Sequence, residues 1–182
     1  MTRTAALLPA CLIALSMMAQ PGTFTLRSAD IGGQATMKQV FKGFGCTGEN
    51  QSPQLNWSNA PEGTKSFAIT LYDPDAPTGS GWWHWVAFDI PADTKELITG
   101  AGTPGQPGMP AGAVQSMTDF GGTGYGGPCP PPGHGAHQYI LTIHALKVEK
   151  LGLDAKASAP MVGFNLGQNT LAKASIVFYY ER

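Results

Sequence analysis

The chain has 182 residues, of which 13% are charged and 42% hydrophobic, and its formal net charge is −1. This length suffices for one domain with a sizeable core, and the apolar fraction excludes a disordered chain. The 11 basic residues are scattered, which gives no support for nucleic-acid binding or for electrostatic docking to an anionic membrane. The 24 glycines and 15 prolines favour a turn-rich, mainly β domain over a helical bundle.

The N-terminus has the pattern of a signal peptide. Arg3 precedes the apolar run "AALLPACLIALSMMA", which ends in the small residue Ala19, where cleavage would fall. The run is shorter than the roughly 20 apolar residues that a membrane-spanning helix needs, so no transmembrane span is expected. We predict a signal peptide at residues 1–19, a single domain at residues 20–182, and export to the periplasm or the medium. A lipoprotein signal at Cys11 is the alternative, which the short apolar run before it disfavours.

Removal of the signal peptide would leave two cysteines, Cys46 and Cys129. Two cysteines in an exported protein favour a disulfide, since oxidising compartments allow such bonds to form and persist. The bond would fasten the region around residue 46 to the proline-rich loop at residues 128–132. The alternative is a pair of reduced, buried thiols.

Four segments alternate apolar and polar residues with the period of half-buried β-strands. They are "SFAITLYD" (66–73), "WVAFDI" (85–90), "HQYILTIHAL" (137–146) and "ASIVFYYE" (174–181). A long Gly/Pro loop lies at residues 99–112, and a helix is expected from Pro160, since proline is favoured in a first turn. Together these elements predict a mainly β fold, an antiparallel β-sandwich with one or two short helices.

Three polar residues lie at strand ends, and the alternation of each strand places them on the same face as its apolar residues. Asp73 has the parity of the apolar positions 67, 69 and 71, His84 that of positions 86, 88 and 90, and His137 that of positions 139, 141 and 143. Burying such groups without partners would cost about 1–3 kcal/mol each. We therefore expect them to meet one another, a ligand or water in a pocket at one rim of the sandwich.

The residue types of this predicted pocket allow three kinds of site. Histidines can donate hydrogen bonds to an anion, and the segment "GGPCPPPG" (126–133) would supply a rigid wall. Histidines and aspartates also suit Zn or Fe, but no metal-binding spacing is present. A His–Asp pair could activate water or a serine, but no serine or cysteine carries a nucleophile motif. Taken singly, Asp73 and Asp75 can also be turn residues, and His84 a satisfied core histidine.

Two long motifs resemble the signature regions of the phosphatidylethanolamine-binding proteins, most closely those of the bacterial Raf kinase inhibitor-like branch. The motifs are "DPDAPTGSGWWHWV" and "GPCPPPGHGAHQYILTIHAL", and "CTGENQSPQLNW", "PEGTKSFAIT" and "GAVQSMTDFGGTGYGG" are similar to further segments of that branch. The resemblance extends from about Phe41 to the end of the chain. It implies an antiparallel β-sandwich with a small pocket for phosphate-like anions, including phospholipid headgroups. We accordingly expect neither a metal nor a cofactor.

Carried over by motif, the resemblance implies eleven ligand-binding residues. They are Asp73, Asp75, Ala76, Pro77, Trp82, His84, Gly127, Pro130, Pro131, His137 and Tyr139. Exported bacterial members have a similar cysteine pair, which supports the Cys46–Cys129 disulfide. The chain departs from the family at Gln138, where an arginine is common. Gln138 has the opposite parity to His137, so it should point away from the pocket.

The leading functional hypothesis is a non-enzymatic binding protein for a small anionic or phosphorylated ligand, such as a phospholipid headgroup. The alternative is a protein-interaction module, or an inhibitor of an exported protease or kinase, with the loop at 99–112 as a contact surface. A weak hydrolase is the third candidate. Relatives suggest that a homodimer can form. Because an exported protein would not meet a cytoplasmic kinase, the family's kinase-inhibitor name is not taken as an activity here.

Overall fold

A computed structural model describes residues 22–182, so the predicted signal peptide and Cys11 lie outside the described residues. Within that part the chain forms ten strands and one helix. The strands are β1 (Thr25–Arg27), β2 (Lys42–Gly43), β3 (Cys46–Thr47), β4 (Leu55–Ser58), β5 (Ser66–Asp73), β6 (Trp82–Pro91), β7 (Glu96–Leu97), β8 (Val114–Gln115), β9 (His137–Leu146) and β10 (Thr170–Tyr180). The helix α1 (Ala159–Asn169) lies between β9 and β10.

Two antiparallel sheets pack against each other. The larger sheet has the strand order β10-β9-β5-β6-β8, the smaller has the order β1-β4-β7, and β2 and β3 form a separate hairpin. Between the two sheets lies one hydrophobic core, to which β4 contributes Leu55 and Trp57 and β5 contributes Phe67. Burying each of these side chains contributes roughly 2–3 kcal/mol. The predicted antiparallel β-sandwich is confirmed, with a single short helix in the described part of the chain.

The outer face of the larger sheet is covered in part by α1. Val162 and Leu166 of the helix pack on Val86 and Phe88 of β6, forming a second apolar cluster. The helix begins next to Pro160, as the sequence predicts, because proline lacks the N–H that a first turn leaves unbonded. The central strand β5 is consequently buried on both faces, with the sandwich core on one side and the helix cluster on the other.

Strand β6 contains two irregularities in its pairing with β5, and they break the simple alternation of its side chains. One extra β6 residue lies opposite β5 residues 67–69, beside Asp89, whose φ is 56°. Another lies at His84, opposite residues 71–72. The prediction that positions 86, 88 and 90 share one face is therefore wrong. Val86 and Phe88 face the helix cluster, whereas Ile90 faces the sandwich core, because a bulge reverses the parity of the residues after it.

A disulfide joins Cys46 to Cys129, which are separated by 83 positions in the sequence, with 6.0 Å between their Cα atoms. It fastens β3 to the proline-rich loop, so the predicted pairing is confirmed. As to membranes, no helix in residues 22–182 combines the length and the apolar character that a span requires.

Candidate functional site

A cavity of about 210 Å³ opens at the rim of the sandwich where β5 ends and β6 and β9 begin. These three strand ends meet because β5 lies between the other two and runs antiparallel to both. Nine of the eleven residues implied by the resemblance line this cavity. They are Asp73, Ala76, Pro77, Trp82, His84, Pro130, Pro131, His137 and Tyr139.

The buried carboxylate of Asp73 is the central acceptor of the site. Its Oδ1 accepts hydrogen bonds from the backbone N–H groups of Asp75 (2.8 Å) and Ala76 (3.0 Å), which shape the turn after β5. Its Oδ2 accepts a hydrogen bond from Nδ1 of His137 at 2.8 Å. Asp73 and His137 are each only 3% exposed. A carboxylate this deep in a protein requires such partners, since an unpaired buried charge is strongly destabilising.

His84 enters the cavity from the bulge in β6. Its Nδ1 lies 2.8 Å from the carbonyl oxygen of Gly126, and its Nε2 lies 4.0 Å from Oδ2 of Asp73. A carbonyl can only accept, so Nδ1 carries a proton. Burial lowers the pKa of His84 to about 4, although the Gly126 carbonyl and the charge of Asp73 act in the opposite direction. At neutral pH the ring is therefore uncharged, and Nε2 presents a lone pair.

Tyr139 supplies the floor of the cavity and an unused hydrogen-bond donor. Its ring stacks on Phe178 at 5.4 Å and meets the ring of His84 edge-on at 5.2 Å, measured between centroids. Its hydroxyl is buried beside the carboxylate of Asp73 and makes no well-formed hydrogen bond within the described part of the chain. Burial raises the pKa of this hydroxyl, and nearby Asp73 adds to the effect, so the group stays protonated and can donate.

One wall of the cavity is aromatic and was missed by the sequence analysis. Phe120 meets the rings of Trp82 and His84 edge-on at 5.5 and 5.2 Å, and Phe44 stacks on Phe120 at 5.9 Å. Phe44, at the tip of the β2–β3 hairpin, is 67% exposed. Its position two residues before Cys46 was a usable signal, because the disulfide brings that hairpin to the proline-rich loop. Phe120 lies in a loop without periodicity and gave no comparable signal.

Two further lining residues were also absent from the predicted set. The hydroxyl of Thr78 donates a hydrogen bond to the carbonyl of Gly81, which closes the turn over the cavity. Cys129 lines the cavity through its half of the disulfide. The wall built by the proline-rich loop is thus covalently tied to the hairpin that carries Phe44.

Two predicted residues lie behind the cavity instead of lining it. Asp75 accepts a hydrogen bond from the backbone N–H of Gln138 at 2.8 Å, which joins the turn after β5 to the start of β9. The N–H of Gly127 donates to Asn50 Oδ1 at 2.8 Å, and its Cα lies so close to the Gln39 carbonyl that a Cβ would collide with it. Both residues support the wall from outside. Gln138 does not line the cavity, in agreement with its parity.

Metal chemistry has no structural support in residues 22–182, where no group of three or more His, Cys, Asp or Glu side chains is arranged to hold an ion. The contacts instead show what the cavity can offer a small molecule. The acceptors are Asp73 Oδ2 and His84 Nε2, the free donor is the Tyr139 hydroxyl, and one aromatic wall supplies apolar surface.

Comparison with known proteins places the chain in a family. Residues 28–181 match the family model described as phosphatidylethanolamine-binding protein. The UPF0098 protein YbcL of Escherichia coli (strain K12) is 49% identical over 169 residues, which cover 92% of each chain. YbhB of the same organism is 53% identical over 144 residues, covering 79% of this chain and 90% of YbhB. The crystal structure of E. coli YbcL matches with a TM-score of 0.85 at 50% identity, covering 87% of this chain and 98% of that one. The chain therefore belongs to the phosphatidylethanolamine-binding protein family.

Proposed function

We propose that this protein is a non-enzymatic binding protein whose rim cavity holds a small phosphate-like group. The observation that carries the proposal is the convergence of Asp73, His84, His137 and Tyr139 from three strands on one cavity. Buried polar groups without full hydrogen bonding are costly, and a cavity that gathers several of them is typical of a ligand site. The family membership supports a binding role in general terms.

The size of the cavity favours a small group over a whole lipid. Its 210 Å³ lies below the roughly 300–1,000 Å³ of sites for drug-sized ligands. A phosphate or a phosphate monoester headgroup would fit with its oxygens towards Tyr139 and His137. The alkyl part of such a headgroup would lie against Phe44 and Phe120 at the mouth.

The hydroxyls and thiols of the cavity favour binding over hydrolysis. Cys129 is held in the disulfide and has no thiol. The Thr78 hydroxyl donates to the Gly81 carbonyl, and the raised pKa of Tyr139 opposes formation of a phenolate. Nucleophilic catalysis requires a group activated by a neighbouring base or a lowered pKa, and these groups have the opposite properties.

We also propose that the protein is exported. The disulfide supports an oxidising compartment, and the pattern of residues 1–19 predicts a signal peptide. Partner recognition through the loop at 99–112 is the second candidate function. Its tip at residues 104–108 is exposed, as a contact surface must be. Deletion of that tip would abolish partner capture and leave phosphate binding intact, because those residues do not line the cavity.

The binding proposal is tested by titrating the protein with inorganic phosphate, phosphoethanolamine and ethanolamine at constant ionic strength. For a Kd of about 1 mM, 10 mM ligand stabilises the fold by about 1.4 kcal/mol, which raises Tm by roughly 3–6 °C. We expect phosphate and phosphoethanolamine to do this and to shift the NMR signals of His84 and His137. A headgroup ligand predicts tighter binding of phosphoethanolamine, whereas a free-phosphate ligand predicts equal or tighter binding of phosphate.

The matched control for this titration is a second, half-buried histidine. His144 lies on the opposite face of the larger sheet, so its signals should not respond to phosphate. His137→Asn removes the Nδ1 donor that holds the Asp73 carboxylate in place and should weaken phosphate binding at least about tenfold, while His144→Asn should not. Absence of any response at millimolar phosphate would contradict the proposed function.

A further inference from the structure

Two hydrogen-bond acceptors lie near each other in the cavity, and neither of them donates to the other. Oδ2 of Asp73 and Nε2 of His84 are 4.0 Å apart, which is too far for a direct hydrogen bond. Nδ1 of His84 already donates to the Gly126 carbonyl, so the neutral ring has only a lone pair to offer at Nε2. The proton that would join these two atoms must therefore come from whatever occupies the cavity.

The charges around this pair disfavour supplying that proton from the protein. Asp73 lies on β5, His84 on β6, and His137 and Tyr139 on β9, while Asp119 adds negative charge near His84 from the loop after β8. Among residues 22–182 no Lys or Arg side chain lines the cavity, and the nearby Arg182 guanidinium donates to the carbonyls of Pro130 and Phe44 in its wall. Burial opposes protonation of Nε2, as the lowered pKa of His84 shows. An anion made only of acceptors would thus meet two further acceptors.

We propose that the cavity selects an oxyanion that carries its own hydroxyl proton, and that Asp73 Oδ2 and His84 Nε2 are the acceptors that recognise this proton. The inference rests on the proposed function and specifies its ligand class. Hydrogen phosphate and phosphate monoester monoanions carry such a proton, whereas sulfate carries none near neutral pH.

The remaining groups complement the other oxygens of such an anion. The Tyr139 hydroxyl, beside Asp73, is a donor that makes no well-formed hydrogen bond in the described part of the chain. His137 donates through Nδ1 to Asp73, and in its doubly protonated form it also has an N–H at Nε2. A ligand with one O–H and several unprotonated oxygens therefore satisfies both kinds of group. A buried site built around a ligand O–H rejects an analogue that lacks it, because the site's own acceptors are left unpaired.

The native protein allows a direct test with two pairs of tetrahedral oxyanions. Phosphate and arsenate carry a proton at pH 7, and sulfate and selenate do not, while the four have similar shapes. Calorimetric titration at constant ionic strength should give affinities for phosphate and arsenate at least about tenfold higher than those for sulfate and selenate. Equal affinity for phosphate and sulfate would overturn the inference and leave the proposed function standing. Failure of all four anions to bind would count against the proposed function itself.

A substitution at the acceptor provides a second, independent readout. Asp73→Asn can replace the Oδ2 acceptor with an N–H donor of the same shape, so the preference should fall below about twofold or reverse in favour of sulfate. Asp154→Asn makes the same chemical change on an exposed loop and should keep the native preference. An unchanged preference in a folded Asp73→Asn protein would overturn the inference.

The protonation state of His84 in the native complex decides the question without any variant. Imidazole ¹⁵N spectra of the phosphate complex should show a neutral ring protonated at Nδ1, with Nε2 accepting from the ligand. A cationic His84 in that complex would mean that the protein supplies the proton, and the inference would be overturned. This measurement remains informative even if Asp73→Asn does not fold.

Discussion

Each face of the larger sheet carries a shielded histidine, His84 buried and His144 half-buried, and the comparison shows what distinguishes a candidate site from ordinary burial. His84 on the sandwich face and His144 on the helix face both have a pKa lowered to about 4, chiefly by burial. His84 lies 4.0 Å from a carboxylate, and its ring meets the Tyr139 ring edge-on. His144 instead has its Nδ1 3.2 Å from Oγ1 of Thr170 and is near the charge of Lys173, which lowers its pKa further.

The groove beside His144 and the cavity beside His84 differ in volume and in the polar groups that line them. The groove that His144 lines is the larger, at about 600 Å³ against about 210 Å³ for the cavity. It has no acidic residue in its lining, and its threonines and apolar residues gather no cluster of opposed polar groups. Neither a shifted pKa nor a large volume therefore indicates a ligand site. The convergence of acceptors and unused donors in a small cavity does so.

The largest expected effect concerns the disulfide, which cross-links the cavity side of the molecule only. Replacing both Cys46 and Cys129 by serine should lower the free energy of unfolding by about 4 kcal/mol, because the unfolded chain is no longer closed into a long loop. Phosphate affinity should also fall, since the hairpin that carries Phe44 loses its tie to the proline-rich loop. Chemical denaturation and calorimetry would measure the two effects.

The helix face provides the control for the disulfide variant. The NMR signal of His144 should keep its native position in the folded protein, because the bond lies on the other side of the sheet. A loss of stability below about 1 kcal/mol would contradict the expected contribution of the bond.

The second effect is on the free energy of unfolding, which should depend on pH because both histidines contribute to it. Each has a folded-state pKa of about 4, below its ordinary value of 6.5, so the unfolded chain takes up protons first as pH falls. Stability is therefore complete above about pH 6.5 and is lost as pH falls towards 4, by up to about 3 kcal/mol for each histidine. Denaturation at a series of pH values, with NMR titration of each ring, would measure this.

Phosphate should change the titration of one histidine and leave that of the other unaltered. In the proposed complex phosphate would contact His84 and change its titration, whereas His144 should titrate identically with and without phosphate. Sodium chloride at the same ionic strength is the control. The comparison between the faces would fail if both histidines titrated near 6.5, or if phosphate changed both of them equally.

The smallest effect comes from two glycines of α1, Gly163 and Gly167, which line the groove. A Cβ added at either position would have no atom within 4 Å, and neither has a positive φ. Since glycine costs a helix interior about 1 kcal/mol relative to alanine, Gly163→Ala and Gly167→Ala should each stabilise the fold by roughly 0.5–1 kcal/mol. Phosphate affinity should not change, and thermal denaturation with calorimetry would check both points.

A glycine on the cavity side should behave in the opposite way. Gly127→Ala would place a Cβ against the carbonyl of Gln39, so it should destabilise the protein by more than 1 kcal/mol. Destabilisation by Gly163→Ala would show that the groove needs its open space and would weaken the contrast between the two faces.

Much of the architecture could be predicted from the sequence because it depends on local alternation. The four alternating segments correspond to β5, β6, β9 and β10, and Pro160 lies in the first turn of α1. Asp73 and His137 could be assigned to the core side, since their strands keep strict alternation up to those residues. The cysteine pairing followed from there being only two candidates once the signal peptide was set aside.

Only the tertiary structure decided how His84 reaches the cavity. Sequence parity placed it on the correct side for a wrong reason, because its assumed companions Val86 and Phe88 face the helix. A bulge is a mismatch between two strands, so no pattern within one strand can reveal it. Phe44 and Phe120 likewise meet through packing of segments far apart in the chain. Local sequence determines which way a regular strand presents its side chains, whereas pairing between strands and packing between loops determine which of them share a cavity.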